Sequence, residues 1–131
     1  MIIDNDGRKK DKYTKSGLTP SYSVELKEQL SDLLENEKIY LKNDVSLDVI
    51  AERLNTTRHN ASQVINEHFG LNFFDLINKY RIQDAVEILQ NDTSRTIIDV
   101  AYQVGFNNKV TFNKSFKRFL SQTPTQYLGS L

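Results

Sequence analysis

From residue 19 onward, apolar residues recur every three or four positions, which is the spacing of amphipathic helices. Sustained alternation of apolar and polar residues, which would indicate strands, does not occur. Glycine and proline, which punctuate turn-rich proteins, number only five and two among 131 residues. The pattern therefore predicts an all-α chain of about seven helices.

Two short helices joined by a tight turn are predicted within residues 96–127. Gly105 lies where the first helix ends and can adopt a positive φ there at little cost, and Phe106 fills the corner. Asn107 or Asn108 caps the second helix, which runs to about residue 120. The residues that form the inner faces of the two helices are Ile97, Val100, Ala101, Val104, Phe112, Phe116 and Phe119.

The same arrangement occurs earlier in the chain, in residues 45–70. Ala51 matches Ala101 at a separation of 50, and Thr57 matches Asn108 at 51, so the one-residue difference falls in the turn. An internal repeat of two helix-turn-helix units is therefore predicted. Its first copy has the inward residues Leu47, Ile50, Ala51, Leu54, Ala61, Val64, Ile65 and Phe69. The residues predicted to cap, turn or end its helices are Ser46, Asn55, Thr56, Thr57 and Gly70.

A longer helix precedes each of the two repeats. Thr19 and Pro20 form an N-cap and a first helical position, and this helix extends to about Asn36 or Ile39 with an acidic outer face. Residues 72–91 predict a connecting helix about 27 Å long, enough to separate two recognition elements by about one turn of DNA. Residues 92–94 break that helix, and Thr93 or Ser94 is expected to cap the next one. A short last helix is predicted over residues 124–128, where Tyr127 packs inward.

The formal net charge is zero, because Lys and Arg together number 17, as do Asp and Glu. Their distribution is uneven: residues 21–55 carry four bases and eight acids, whereas residues 92–131 carry five bases and two acids. Beyond a Debye length of about 8 Å the distant acids are screened. A local basic face is therefore sufficient to bind phosphates, and neutrality does not exclude a nucleic-acid-binding protein.

The helix predicted from about residue 108 to residue 120 carries four bases and no acid. A tight turn followed by such a cationic helix is typical of a helix-turn-helix whose second helix enters the DNA major groove. The outward residues of the two second helices, with their caps, are the candidate DNA contacts: Thr57, Arg58, His59, Ser62, Gln63, Asn66, Asn108, Lys109, Val110, Asn113, Lys114 and Lys117.

Some of these candidates have a more specific chemistry. Gln63 can pair with adenine through two hydrogen bonds, and Val110 can offer only an apolar contact, for example to a thymine methyl group. Lys114 either reads a base or binds a phosphate, and His59 either contacts DNA or is simply exposed. The three phenylalanines of the second repeat have helical spacing, which assigns them to the core rather than to a base-stacking platform.

Residues for other chemistry are missing from the sequence. The chain has no cysteine, and its two histidines, His59 and His68, are nine residues apart rather than four, so they do not form a metal pair on one helix face. The sequence contains no recognisable pair of a catalytic nucleophile and its general base, and no glycine-rich phosphate-binding loop. We therefore expect no catalytic activity, no cofactor and no small-molecule site in this chain.

Three short motifs resemble a known family. The segments I-I-x-V-A-x-x-x-G-F, F-x-x-x-F-K-R and T-P-x-x-Y are similar to the second helix-turn-helix of AraC/XylS-type transcription regulators, and the resemblance extends over residues 45–127. This sequence has Ser121 where the family usually has glycine, Leu128 where an arginine usually follows the tyrosine, and Val110 where a small polar residue is common. The resemblance implies a cytoplasmic regulator of transcription, usually an activator that also contacts RNA polymerase.

The predicted organisation is a linker or arm over residues 1–18, followed by a DNA-binding domain over residues 19–131. That domain contains a first helix-turn-helix at about 45–70, a connecting helix at about 72–91 and a second helix-turn-helix at about 95–128. The arm is either a solvated tail or a basic segment that touches DNA. In a longer parent protein, which could be membrane-anchored, it would join the domain to an N-terminal sensor. The alternative function is a helical protein-interaction module that has lost specific DNA binding.

Overall fold

The computed structural model describes residues 17–131, and it confirms the all-α prediction over that range. The expectation for an arm therefore lies almost entirely outside the described residues. The described part contains seven α-helices and a short 3-10 turn at Ile39–Leu41, which the sequence pattern did not predict. The α-helices are α1 (Pro20–Glu35), α2 (Leu47–Arg53), α3 (Arg58–Phe69), α4 (Phe73–Asn91), α5 (Ile97–Gln103), α6 (Lys109–Leu120) and α7 (Pro124–Gly129).

The chain forms two compact units, and one short segment changes unit. Of the described residues, unit 1 comprises 17–36 together with Ser46–Phe73, and unit 2 comprises Glu37–Val45 together with Phe74–Leu131. Each unit therefore contains one of the two repeats. The segment Glu37–Val45 follows α1 of unit 1 but belongs to unit 2, and we call it the inserted segment.

In unit 1, α3 packs against both α1 and α2. The apolar faces predicted from the helical spacing are the buried faces, and Leu34, Ile50, Ala61 and Val64 are fully inaccessible to solvent. In unit 2, the core contains Ile82, Ala85, Leu89, Val100, Ala101, Val104, Phe106, Phe112 and Phe116. The rings of Phe106 and Phe112 pack edge to face. The predicted packing of Tyr127 is confirmed, since its ring centroid lies 5.6 Å from that of Phe116.

The capping residues show why the helices begin where they do. Ser46 and Thr57 each accept a hydrogen bond from the backbone N–H three residues ahead, and Asn108 does the same at the start of α6. The prediction that Thr93 or Ser94 caps α5 is wrong. Asp92 holds that pair in a turn by accepting from the Ser94 backbone N–H at 3.1 Å, and the cap is Thr96.

The repeat extends to the backbone of the two turns. In unit 1 the N–H of Thr56 donates to the Ala51 carbonyl at 3.0 Å, and in unit 2 the N–H of Phe106 donates to the Ala101 carbonyl at 3.0 Å. These bonds are typical of a helix that ends in a left-handed residue. That residue is Asn55 at φ 54° in the first turn and Gly105 at φ 109° in the second.

The inserted segment is held against α4 and the second turn, all within unit 2. Arg81 is only 8% exposed, and its Nε and Nη2 donate to the carbonyls of Tyr40 at 2.7 Å and Lys42 at 2.9 Å. The Tyr40 hydroxyl donates to Asp84 at 2.8 Å, and burial together with that carboxylate raises the pKa of Tyr40. Asn107, the extra residue of the second turn, donates to the Asn43 carbonyl at 3.2 Å.

A first prediction concerns the helix ends. Gly70 ends α3 at φ 69° and ψ 19°, and Ser121, 51 residues later, ends α6 at φ 62° and ψ 19°. Because a side chain in this left-handed region is strained, we expect Ser121→Gly to raise the free energy of unfolding by about 0.5–1 kcal/mol. Gly70→Ser is the matched control and should lower it by about 1 kcal/mol. Urea unfolding measures both, and equal stability of Ser121→Gly and the parent would contradict the prediction.

Candidate nucleic-acid interface

The outward face of α3 carries the polar residues predicted for the first recognition helix. Arg58, His59 and Asn66 are exposed, and Ser62 and Gln63 are half-buried. The residues on the opposite face of the helix, Ala61, Val64 and Ile65, are buried, and this fixes the rotation of the helix about its axis. Thr57 uses its hydroxyl oxygen to cap the helix, accepting from the Asn60 N–H at 3.0 Å, and retains its O–H as a donor.

The outward face of α6 is the more cationic of the two. Lys109, Lys114 and Lys117 are exposed, Asn113 is half-buried, and Val110 is 62% exposed. Asn108 caps the helix through Oδ1, accepting from the Thr111 N–H at 2.8 Å, so its amide hydrogens can still donate to a phosphate oxygen. An exposed valine can make only an apolar contact, for example with the methyl group of a thymine.

Two arginines near these faces have acidic partners that the sequence pattern did not indicate. Arg58 lies 3.2 Å from Asp48 of α2, with both side chains about two-thirds exposed (67% and 70%). A pair so exposed contributes little to stability, so Arg58 can exchange Asp48 for a phosphate or a base at small cost. Arg118 lies 2.6 Å from Asp75 of α4, and Asp75 is less exposed at 23%. Lys117 is therefore better placed than Arg118 to bind a phosphate.

Gln63 also has a hydrogen-bond partner on its own helix. Its Nε2 donates to Oε2 of Glu67 at 3.0 Å, one helical turn further along α3. Asn66 donates back to the Ser62 carbonyl at 3.4 Å, a long bond that an approaching acceptor can replace. The spacing of Gln63 and Glu67 is visible in the sequence, but Glu67 was not among the predicted site residues.

The two histidines occupy different environments. His59 is exposed on the candidate DNA face of α3, whereas His68 lies in the last turn of that helix with its Nε2 2.7 Å from the Ser23 hydroxyl of α1. Within residues 17–131, no group of three or more His, Cys, Asp or Glu side chains could hold a metal ion. Over the same residues, no helix combines the length and the apolar character needed to cross a membrane.

Two repeated helix-turn-helix units, each with an outward polar or cationic second helix, are the architecture of a DNA-binding domain. A family model described as "Helix-turn-helix domain" matches residues 50–130. The chain belongs to this family, the AraC-type helix-turn-helix domains. The resemblance found in the sequence motifs is thereby confirmed.

Among curated proteins, the chain is similar to an uncharacterised HTH-type transcriptional regulator of Staphylococcus aureus, with 33% identity over 101 residues. The match covers 77% of this chain and 13% of that protein, so the chain spans about an eighth of the length of this relative.

Solved structures share the fold. The C-terminal domain of AraT, a response regulator from Geobacillus stearothermophilus, matches with a TM-score of 0.69 and 25% identity, covering 87% of this chain and 88% of that one. An AraC-type transcriptional regulator from Chromobacterium violaceum matches with a TM-score of 0.69 and 19% identity, covering 83% and 94%. The DNA-binding domain of AdpA, in complex with a target DNA, matches with a TM-score of 0.65 and 23% identity, covering 80% and 90%.

Proposed function

We propose that this chain reads an asymmetric DNA site through α3 and α6, each placed in one of two adjacent major grooves, and that it activates transcription. The observation that carries the proposal is that both second helices present outward polar or cationic side chains while their apolar faces are buried. The two outward sets differ in sequence, so the two half-sites should differ as well.

In this proposal α3 reads bases through Gln63, with Arg58 on a base or a phosphate and Thr57, His59, Ser62 and Asn66 beside it. The more cationic α6 supplies Lys109, Lys114 and Lys117, with Val110 against a thymine methyl and Asn108 and Asn113 as amide donors. The activation step and the contact with RNA polymerase rest on the family alone. A cytoplasmic location is also part of the proposal, because the protein must reach DNA to bind it. A sensor domain in a longer parent protein is likewise part of the proposal, supported by the greater length of the S. aureus relative.

The footprint of the chain on a site selected from random duplex DNA tests the overall arrangement. We expect one chain to protect about 20 base pairs, in two segments about one helical turn apart. A palindromic footprint that requires two chains would contradict reading by a single chain. A chain that shifts no duplex in a gel at low salt would instead support the protein-interaction alternative.

A second prediction concerns base reading. We expect Gln63→Ala to lower the preference for one half-site by about 1–3 kcal/mol and to leave the other half-site unaffected. Gln29→Ala is a matched control, because Gln29 of α1 also donates to a carboxylate four residues away, Glu25, at 3.5 Å. Fluorescence anisotropy on the selected site and on duplexes with one half scrambled measures the change. A Gln63 variant that binds every duplex like the parent would refute base reading by Gln63.

A third prediction separates the two roles open to Lys114. If Lys114 reads a base, Lys114→Ala should relax the preference in the α6 half-site by about 1–3 kcal/mol. If it binds a phosphate, affinity should fall about equally on all duplexes, and the slope of log K against log[salt] should decrease by about 1. Lys79→Ala, which removes an exposed cation from α4, is the control for the loss of charge. A Lys114 variant that binds all duplexes like this control would show that Lys114 does not contact DNA.

A further inference from the structure

A chain of hydrogen bonds runs from α1 to the recognition helix α3 inside unit 1. Ser23, on α1, is 4% exposed, and its hydroxyl donates to Oε1 of Glu67 at 3.1 Å. The other carboxylate oxygen of Glu67, Oε2, accepts from the amide Nε2 of Gln63 at 3.0 Å. Glu67 therefore connects a buried residue of the supporting helix to an outward residue of the recognition helix.

The chemistry of each group fixes the direction of these bonds. An ionised carboxylate can only accept, so both Ser23 and Gln63 donate to Glu67. The hydrogen bonds from Gln63 and then Ser23 lower the pKa of Glu67, which favours the ionised form. Because the single hydroxyl hydrogen of Ser23 is used, the Nε2 atom of His68, 2.7 Å away, must carry the hydrogen and donate to Ser23. The serine is thus held from two sides.

This arrangement orients the Gln63 amide. A carboxylate attracts the NH₂ end of an amide and repels its carbonyl end, so rotation of the amide by 180° would lose a hydrogen bond and bring two oxygens together. The amide nitrogen keeps a second hydrogen. Its N–H can donate to N7 of adenine, and the amide oxygen can accept from N6–H₂. Glu67 thereby leaves the adenine-reading edge of Gln63 available and selects one of its two orientations.

We propose that Glu67 is a positioning residue that fixes the amide of Gln63 for base reading, and that Ser23 holds Glu67 in place for this role. The inference rests on the proposed function, since it requires Gln63 to contact a base. In this proposal α1 influences base preference through Ser23, although none of the candidate DNA contacts lies on α1. Contacts that lock the rotamer of a reading residue hold it close to the geometry that base reading requires.

The equivalent position in unit 2 is organised differently. Glu67 and Gln63 correspond, at a separation of 51, to Arg118 and Lys114. Arg118 also has a partner on the preceding helix, because it forms an ion pair with Asp75 of α4 at 2.6 Å. Its guanidinium is only a donor, however, so it cannot accept a hydrogen bond from Lys114. The proposed orientation of a reading residue by its neighbour is therefore specific to the first unit, and substitutions at Glu67 should change only the half-site read by α3.

The test measures base preference rather than affinity alone. On the selected site and on duplexes altered at the base pair read by Gln63, we expect Glu67→Ala to lower the discrimination about five- to tenfold. Binding to scrambled duplex should not weaken, because removal of a negative charge does not disfavour contact with phosphates. Ser23→Ala should lower the discrimination in the same direction by a smaller factor. Glu67→Gln, which retains an acceptor oxygen for one partner, should restore part of it.

Three further measurements decide between explanations. Glu25→Ala removes the carboxylate that faces Gln29 on α1 and should leave discrimination unchanged. In a Gln63→Ala background, Glu67→Ala should have no further effect, because it acts through the missing amide. The side-chain amide resonances of Gln63 should shift in Glu67→Ala and in Ser23→Ala proteins that retain the parent circular dichroism spectrum and melting temperature.

The outcomes distinguish the two proposals. If Gln63→Ala keeps the full discrimination, base reading by Gln63 is refuted, and the role of Glu67 is refuted with it. If Gln63→Ala lowers discrimination but Glu67→Ala does not, only the positioning role is refuted. A loss in Glu67→Ala that persists in the Gln63→Ala background would also refute it, because Glu67 would then act independently of Gln63.

Discussion

Gly105→Ala is expected to lower the free energy of unfolding of unit 2 by about 3–5 kcal/mol, enough to unfold much of it at physiological temperature. A Cβ atom at this position would lie 2.6 Å from the Tyr40 carbonyl oxygen, 2.8 Å from Arg81 Nε and 3.1 Å from the Leu41 carbonyl oxygen. Two of these neighbours are backbone atoms of the inserted segment, which cannot move without breaking its bonds to Arg81. The φ of 109° adds backbone strain for any residue with a side chain.

Gly70 is the matched control for this substitution. It also has a positive φ, 69°, but a Cβ atom there would meet nothing within 4 Å. Gly70→Ala should therefore cost only the left-handed strain, about 1 kcal/mol. Thermal and urea unfolding followed by circular dichroism, with tertiary amide resonances of unit 2 as a local probe, compare the two variants. If both lose the same stability, the contact between Gly105 and the inserted segment does not constrain the fold.

Arg81→Met is expected to lower the free energy of unfolding by about 3 kcal/mol, because two hydrogen bonds from a charged donor to backbone carbonyls are lost, and the Tyr40 carbonyl would be left buried without that partner. Methionine retains most of the apolar stem, so the loss reports on the guanidinium and not on a cavity. Burial lowers the pKa of Arg81 to about 10, and the group is still charged at neutral pH, supported by its two carbonyl acceptors and by the Phe106 ring, whose centroid is 5.5 Å away. Arg81→Lys should also destabilise, since one ammonium cannot reproduce the planar fork.

The control for Arg81→Met is Lys79→Met, an exposed residue of the same helix, which should change stability by less than about 0.5 kcal/mol. Hydrogen exchange gives a more local result. The amides of residues 37–45 should lose protection in Arg81→Met before those of the unit 2 core. Unchanged protection in the inserted segment would show that Arg81 is not what holds it.

The helices, their inward faces and the outward polar faces of α3 and α6 could be predicted from the sequence because each depends on local rules. Spacing of three or four residues determines which side of a helix is buried, and the burial of Leu34, Ala61 and Phe116 agrees with it. The caps at Thr19, Ser46 and Thr57 were predicted for the same reason, since a cap acts within three residues. The local rule failed at residues 92–96, where several adjacent hydroxyl and carboxylate side chains compete for one helix start.

The sequence by itself therefore determined the all-α class, the internal repeat, the family and the outward position of the twelve candidate DNA contacts, because helical periodicity and short motifs are local properties. Only the tertiary structure decided which side chains meet across helices. Arg81 reaches the carbonyl of a residue 41 positions earlier, Ser23 meets a residue 44 positions later, and Arg118 pairs with a residue 43 positions earlier. No periodicity encodes such contacts, since they depend on how packed helices cross and not on spacing along one helix.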